Sequence, residues 1–347
     1  NGLIEEVASG LPRIDYTDGS GSWLLEPAST NLVLTSDSGT YGSSPASETL
    51  TISPDGTNNA VIPTPSSDAN RYQQDITGGT YATNTLLTYS WYRKRISTPV
   101  QTTYVGDLII QSLVNLTISE ATAQIESDIN GFDRFQIVVQ VTDGALASTF
   151  RGYFGAIVGT GNSSIAYLGA QLEENSYATS YIKTVGTAQT RVADTASGSG
   201  NSTVINSTEG TLYAEISALA DDGTDRAICL SNGTNSNRAL VLYDEFSNKI
   251  LAFHTNGIGQ VSLESIVTNT TDFHKVAFKF AENDFALWIN GVEVATSLVG
   301  GVNIPNTFDR LDFKNASGSS PFNGKTKSVQ VYTTALSDAE LTSLTTI

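Results

Sequence analysis

Three adjacent acidic pairs are the residues of this chain best suited to acid–base work: Glu173-Glu174, Asp221-Asp222 and Asp244-Glu245. Hydrolysis of a glycan needs two carboxylates across the scissile bond, about 5–10 Å apart. Neighbours on a strand point to opposite faces, and all three pairs abut turn-like sequence. They read as solvated loop charges, not as an acid and its base. The two histidines, His254 and His274, have no Cys or His at metal-ligand spacing and no Ser-His-Asp signature around them. Both read as structural. Cys229, the single cysteine, lies between apolar neighbours in RAICLS and reads as a small core residue. It leaves no intrachain disulfide, as in a cytosolically assembled particle or a bacterial secreted protein.

Binding chemistry has better material. Sugars stack on exposed aromatic rings. Trp288 alternates out of phase with Phe285, Leu287 and Ile289, so it points away from their layer, toward the open face of a sheet. Tyr243 and Asp244 end a strand beside the loop DEFSN, and Asn256 lies in the loop HTNGIGQ. These four residues are the candidate ligand contacts. Trp91 shares a face with Tyr89 and reads as core. Trp23, in GSWLLEP, is expected to anchor the lead-in to the middle domain. Arg93-Lys94-Arg95, the compact basic cluster, reads as a strand end with solvated alternate side chains. The loops 231–237, 254–260 and 315–324 are rich in Asn, Asp and Gly oxygens and are candidate holders of a structural Ca²⁺, although they lack the ligand order of an EF-hand. No cofactor is required by any motif. Sequons at Asn115, Asn162, Asn201, Asn206, Asn232 and Asn269 read as chance products of an Asn- and Thr-rich chain.

The elements that position these residues are strands. Charged residues make up only 15% of the 347, and Thr, Ser, Asn and Gly supply the polarity, which suits strands joined by decorated turns. Alternating or dense apolar runs mark strands at 86–96, 107–118, 132–144, 165–182, 210–219, 238–244 and 249–255. The stretch HKVAFKFAENDFALWINGVEVAT (274–296) holds two hairpin turns, the second at Asn290-Gly291 with the positive φ angles of a type I′ turn. A final strand with Val329 and Val331 on one face runs into a helix start at Ser337, where Glu340 closes a capping box and Leu336 and Leu341 form the staple. The expected fold is all-β, two β-sandwich (jelly-roll) domains in tandem. Residues 1–35 form a lead-in packing on the first domain, 36–185 the first sandwich, 186–200 a Gly/Ser/Thr-rich linker, and 201–347 the second sandwich.

A net charge of −17 with scarce Lys and Arg argues against nucleic acid. No apolar run reaches the ~18 residues of a membrane span, so no membrane insertion is expected. Met is absent and the chain opens at Asn1, so a fragment, or a mature form, of something longer is expected.

Three segments carry a family resemblance. The lead-in PRIDYTDGSGSWLLEPASTNL resembles a recurrent element of bacteriophage and prophage tail or fibre proteins. LLTYSWYRKR, FDRFQIVV and YLGAQLEENSYATSYIKT resemble the carbohydrate-binding-module jelly rolls that follow it, although Phe132-Asp133 stands where relatives carry a Trp and a second bulky residue. HKVAFKFAENDFALWINGVEVA and SPFNGKTKSVQVYTTALSDAEL are similar to laminin-G-like, concanavalin A-type domains. The resemblance implies a virion-surface protein, exposed outside the cell, that binds host cell-surface polysaccharide or glycan without catalysis. It implies other virion proteins as partners and a homo-oligomer. A purely structural virion subunit is the first alternative, and a polysaccharide depolymerase or lyase the second.

Overall fold

β-branched and aromatic residues at alternating positions make strands of most of the chain. The structure, a computed structural model, is all-β apart from one short helix. It describes residues 4–8, 10–36, 47–57, 59–64, 72–96, 108–154 and 165–347. Two short strands come first, β1 (Arg13–Asp15) and β2 (Ser22–Leu25). Then follow β3 (Ser29–Asn31), β4 (Ser47–Thr51), β5 (Ala60–Thr64), β6 (Tyr72–Gly79), β7 (Leu86–Arg95) and β8 (Leu108–Val114). Next are β9 (Leu116–Ile129), β10 (Phe132–Val141), β11 (Ser148–Phe154), β12 (Ile165–Glu173) and β13 (Gln189–Arg191). The last stretch holds β14 (Glu209–Ala218), β15 (Arg226–Ser231), β16 (Asn237–Tyr243), β17 (Lys249–Asn256) and β18 (Gln260–Ile266). It continues with β19 (His274–Ala281), β20 (Asp284–Ile289), β21 (Val292–Ser297), β22 (Arg310–Asp312), β23 (Gly324–Tyr332) and α1 (Asp338–Thr345).

Two units result. In the first, a six-stranded sheet (β4-β5-β12-β7-β10-β9) packs on a three-stranded one (β6-β11-β8), and β3 pairs with β13. The inward residues of β7 build the core. Tyr89 stacks on Trp91 at 5.5 Å and meets Phe150 at 5.0 Å, and Trp91 stacks on Phe135 at 6.0 Å. Trp91 is buried, as its phase with Tyr89 predicts.

Part of the opposite face of that sheet is polar and also buried, beside an apolar cluster of Tyr92, Phe132, Ala166 and Leu168. Glu173, Gln171, Arg134 and Ser90 lie beneath the segment that follows β12. Glu173 accepts from the Ser29 hydroxyl (2.6 Å), the Gln171 amide (2.7 Å) and the Thr179 backbone N–H (3.0 Å), and also from the Thr179 hydroxyl. Arg134 donates to Glu126 (3.0 Å), Ser90 (3.1 Å) and the Thr179 carbonyl (2.7 Å), with its guanidinium 5.2 Å over Tyr92. Burial opposes the Arg134 charge, but Tyr92, Glu126 and Glu173 outweigh it and hold the group above its ordinary pKa. The QLEENSYATSYI stretch thus ties its own tail back onto its own strand.

In the second unit, a seven-stranded sheet (β1-β2-β23-β14-β19-β20-β21) faces a five-stranded one (β18-β17-β16-β15-β22). Phe278, Phe280, Phe285, Leu287, Ile228, Leu230, Val241 and Ile250 fill the space between them. Asn290 and Gly291 turn β20 into β21 with φ of 50° and 84°. Ser337 caps α1, and Glu340 reaches back to complete the capping box.

The lead-in departs from expectation. Gly10–Pro27 belongs to the second unit, not the first. The reason is an open edge: β23 has one side free, and β2 pairs there, Trp23 opposite Thr326. Trp23 meets Phe313 edge-on at 5.0 Å and packs against the second core. Lys325–Asp15 (2.7 Å) and Lys327–Asp18 (2.6 Å) flank it, and Arg13 joins Glu26 to Asp194. Residues 28–36 stay with the first unit. The expected linker 186–200 is not free either: β13 pairs with β3, and the units part between Val192 and Ala193.

Candidate functional site

The four sequence-predicted contacts do not come together. Trp288 does point away from the core, but α1 covers it. With Tyr213, Ala277 and Ala286 it forms the seat for Leu341, with Leu336 and Leu344 alongside, and only 6% of it is exposed. A helix with a capped start and apolar staple needs such a seat, and Trp288 is therefore packing, not an open platform. Tyr243 is core: its hydroxyl donates to the Ile216 carbonyl (3.0 Å), its ring stacks on Phe322 at 6.3 Å, and burial raises its phenol. Asp244 accepts from the Phe246 N–H (3.0 Å) and pairs with Lys249 (3.6 Å). Asn256 shapes its own turn, accepting from the Ile258 and Gly259 N–H groups and donating to the Val302 carbonyl (3.3 Å). Tyr243 and Asn256 stand at opposite ends of the β16–β17 ladder.

A partly exposed apolar strip of the second unit lies on the outer face of the five-stranded sheet. Register places Ser262, Phe253, Leu240 and Cys229 side by side across β18, β17, β16 and β15, and Glu264, Leu251, Leu242 and Ala227 in the next row. Phe253, Leu251 and Leu242 are partly exposed, while Ala316 closes over Cys229. The Arg238 guanidinium sits 5.0 Å over the Phe253 ring. Asn235 (2.9 Å) and Asn315 accept from it and fix its position, and burial lowers its pKa. A flat apolar strip beside an oriented guanidinium and loop amides can stack the C–H face of a sugar and hydrogen-bond its hydroxyls. Sequence reading missed Phe253. Its signal was present: in KILAFHT both strand faces are apolar, one turned to the core and one outward.

The acidic pairs are engaged elsewhere. Glu173 is in the buried network, and Glu174 is exposed beside it. Asp221 accepts from Ser247 and the Asn248 N–H, and Asp222 pairs with Arg226 at 2.7 Å. His254 is fully buried against Phe280, Phe285 and Phe308, and burial pushes it down to about 4. His274 is lowered the same way. Burial lifts the Cys229 thiol to about 12, too high for a thiolate nucleophile at neutral pH. Arg93 lies 3.8 Å from Asp133, and Lys94 donates to the Asn130 carbonyl. Among the described residues, no three His, Cys, Asp or Glu side chains converge on a metal position. In the oxygen-rich loops, Asn232 and Asn256 spend their side-chain oxygens on turn N–H groups. The sequons at Asn201, Asn206, Asn232 and Asn269 do the same, each accepting from the Thr two residues on. The sequon at Asn162 lies outside the described residues.

Residues 193–342 match the family model of the concanavalin A-like lectin/glucanases superfamily. The second unit is a concanavalin A-like, laminin-G-like domain. Among solved structures, the CBM40 module of the Ruminococcus gnavus IT-sialidase, bound to α2,3-sialyllactose, is 18% identical. That match covers 43% of this chain and 94% of the module at a TM-score of 0.36. A heptameric SAP-like pentraxin from Limulus polyphemus is 12% identical over 42% of this chain and 72% of its own, with a TM-score of 0.35. The leech intramolecular trans-sialidase is 21% identical, with 40% of this chain aligned to 23% of that one and a TM-score of 0.32. No curated protein matches the chain.

Proposed function

We propose that the second unit binds cell-surface glycans, without catalysis, on the outer face of its five-stranded sheet. The observation that carries this reading is the partly exposed Phe253–Leu251–Leu242 strip with Arg238 held over the ring by Asn235 and Asn315. The lectin-containing superfamily of this unit supports it. A binding role is favoured over hydrolysis because Glu173, Asp221, Asp222 and Asp244 are each committed to a hydrogen bond or ion pair. On a glycan array the intact chain binds a defined subset of sugars. Phe253→Ala weakens that binding about tenfold, the ~1.4 kcal/mol expected of one lost stacking ring and its contact area. An array without binding overturns the reading, and a Phe253→Ala protein that binds like the wild type places the site elsewhere.

The finer reading is a receptor-binding or decoration protein on the virion of a bacterial virus, assembled as a homo-oligomer with other virion proteins. Its support is the resemblance of the lead-in to a recurrent element of phage tail or fibre proteins, and of YLGAQLEENSYATSYIKT to the carbohydrate-binding-module jelly rolls that follow that element. Gold-labelled antibody against the chain decorates purified particles under this reading. Labelling confined to the cell envelope defeats it.

A further inference from the structure

The first unit holds a cavity of about 310 Å³. Core side chains line its depth, among them Leu87, Val139 and Phe150, all 2% exposed or less. Leu34, Tyr81 and Ala188, which reach solvent, form its mouth. Leu32 is shared with a second recess of about 200 Å³, whose walls are Ser29, Thr30, Glu174, Asn175 and Thr190. One compartment is therefore mostly apolar, with the hydroxyls of Ser148 and Tyr81 at its wall, and the other adds hydroxyls, an amide and a carboxylate to Ala28 and Leu32.

Tyr81 lines the larger compartment. Its ring folds across Gly79, where an added Cβ would lie 2.3 Å from the Tyr81 hydroxyl, so a side chain at 79 would displace the ring. Burial, and then the charge of Glu174, raise the Tyr81 phenol. In the recess, Thr30 and Thr190 share a hydrogen bond (2.7 Å), and the Asn175 amide is held by the Ser29 hydroxyl (2.9 Å). That hydroxyl in turn donates to the buried Glu173, so the recess is anchored to the internal network.

A mostly apolar cavity of this size offers water few partners and favours a hydrocarbon occupant. The recess offers hydrogen bonds to a polyol. Among the described residues no Lys or Arg lines either compartment, and Glu174 repels an anion. We propose that the first unit binds an amphiphile whose alkyl chain fills the cavity behind Tyr81 and whose uncharged, hydroxylated head lies against Glu174 and Asn175. An alkyl glycoside has this chemistry. The site is separate from the sheet face of the second unit, and the glycan array of Phe253→Ala reads only that face, so the two readings fail independently.

Titration calorimetry of the intact chain with octyl glucoside, below its micelle concentration, gives saturable binding at one site. Free glucose, lacking the chain, and octanoate, carrying a charged head, each bind about tenfold or more weakly. Ala188→Trp, at an exposed mouth position, fills the entrance and lowers octyl glucoside affinity about tenfold or more while the melting transition of the unit is unchanged. Glu174→Gln strengthens octanoate binding. The proposal is overturned by any of three results: no saturable binding of octyl glucoside, glucose binding as tightly as its octyl form, or Ala188→Trp binding like the wild type.

Discussion

Lowering the pH from 7 to 4 is expected to remove about 3 kcal/mol of stability from the second unit, chiefly through His254. Burial holds this imidazole at about 4 in the folded protein against 6.5 in the unfolded chain, and the neighbouring Asn303 side chain offsets only part of that. Between those values the unfolded state takes up a proton that the folded state refuses. Stability is therefore full above pH 6.5 and falls as the pH drops toward 4. At ~1.4 kcal/mol per tenfold difference in proton affinity, the gap amounts to about 3 kcal/mol. His274, also lowered by burial, adds to the same limb. Asp15 and Asp18 titrate lower: Lys327 first, then Ser20, hold Asp18 down to about 2, and Lys325 and Thr17 outweigh burial at Asp15. They leave the window above pH 4 clear. Urea titrations followed by fluorescence check this, because Trp23 and Trp288 report on the second unit and Trp91 on the first. His254→Leu should flatten most of the acid limb. Equal slopes for variant and wild type would remove His254 as its cause.

The second large effect belongs to Glu173. Every group that points at this side chain is a donor: the Ser29 and Thr179 hydroxyls, the Gln171 amide and the Thr179 N–H. A carboxylate satisfies all of them, because it only accepts. Glu173→Gln keeps the shape but aims an NH₂ at other donors, at zero exposure. The first unit should lose about 3 kcal/mol, the usual scale for a broken buried polar network. The loss appears in the Trp91 transition, with the second unit's transition unmoved. A change below about 1 kcal/mol would mean that water enters and replaces the lost contacts.

Much of this was legible in the chain itself, and what was not has physical causes. Asn290-Gly291 announced its hairpin because two consecutive positive φ angles admit few residue types. Ser337 and Glu340 announced the helix because capping is local. Trp288 was assigned to the right face, but periodicity says which way a side chain points, not what lies on top of it, and its cover comes from Leu336, Leu341 and Leu344. Tyr243, at a strand end, looked exposed; its hydroxyl finds a backbone carbonyl on β14, a contact no local pattern encodes. The lead-in failed for the same reason. Its neighbour in sequence is the first unit, and its partner in space is β23. The Asn-x-Thr turns were the opposite case, a local signal present in plain sight and taken for chance.

The pairing of β2 with β23 has a consequence for how the molecule is made. Most of the first unit, Ala28–Val192, lies in sequence between the two parts of the second: the chain lays down β1 and β2, completes the other unit, and only then returns to finish the second. Trp23 and Thr326 are about 300 residues apart, which at ~5–20 residues per second is roughly 15–60 s of synthesis. A two-stranded hairpin alone is marginal at best in water, so β1 and β2 wait, unpaired, while the inserted domain folds. A ribosome that stops before β23 leaves Trp23 without its partner strand. Closing this edge is thus a test of length, passed only by a polypeptide that has been translated through β23.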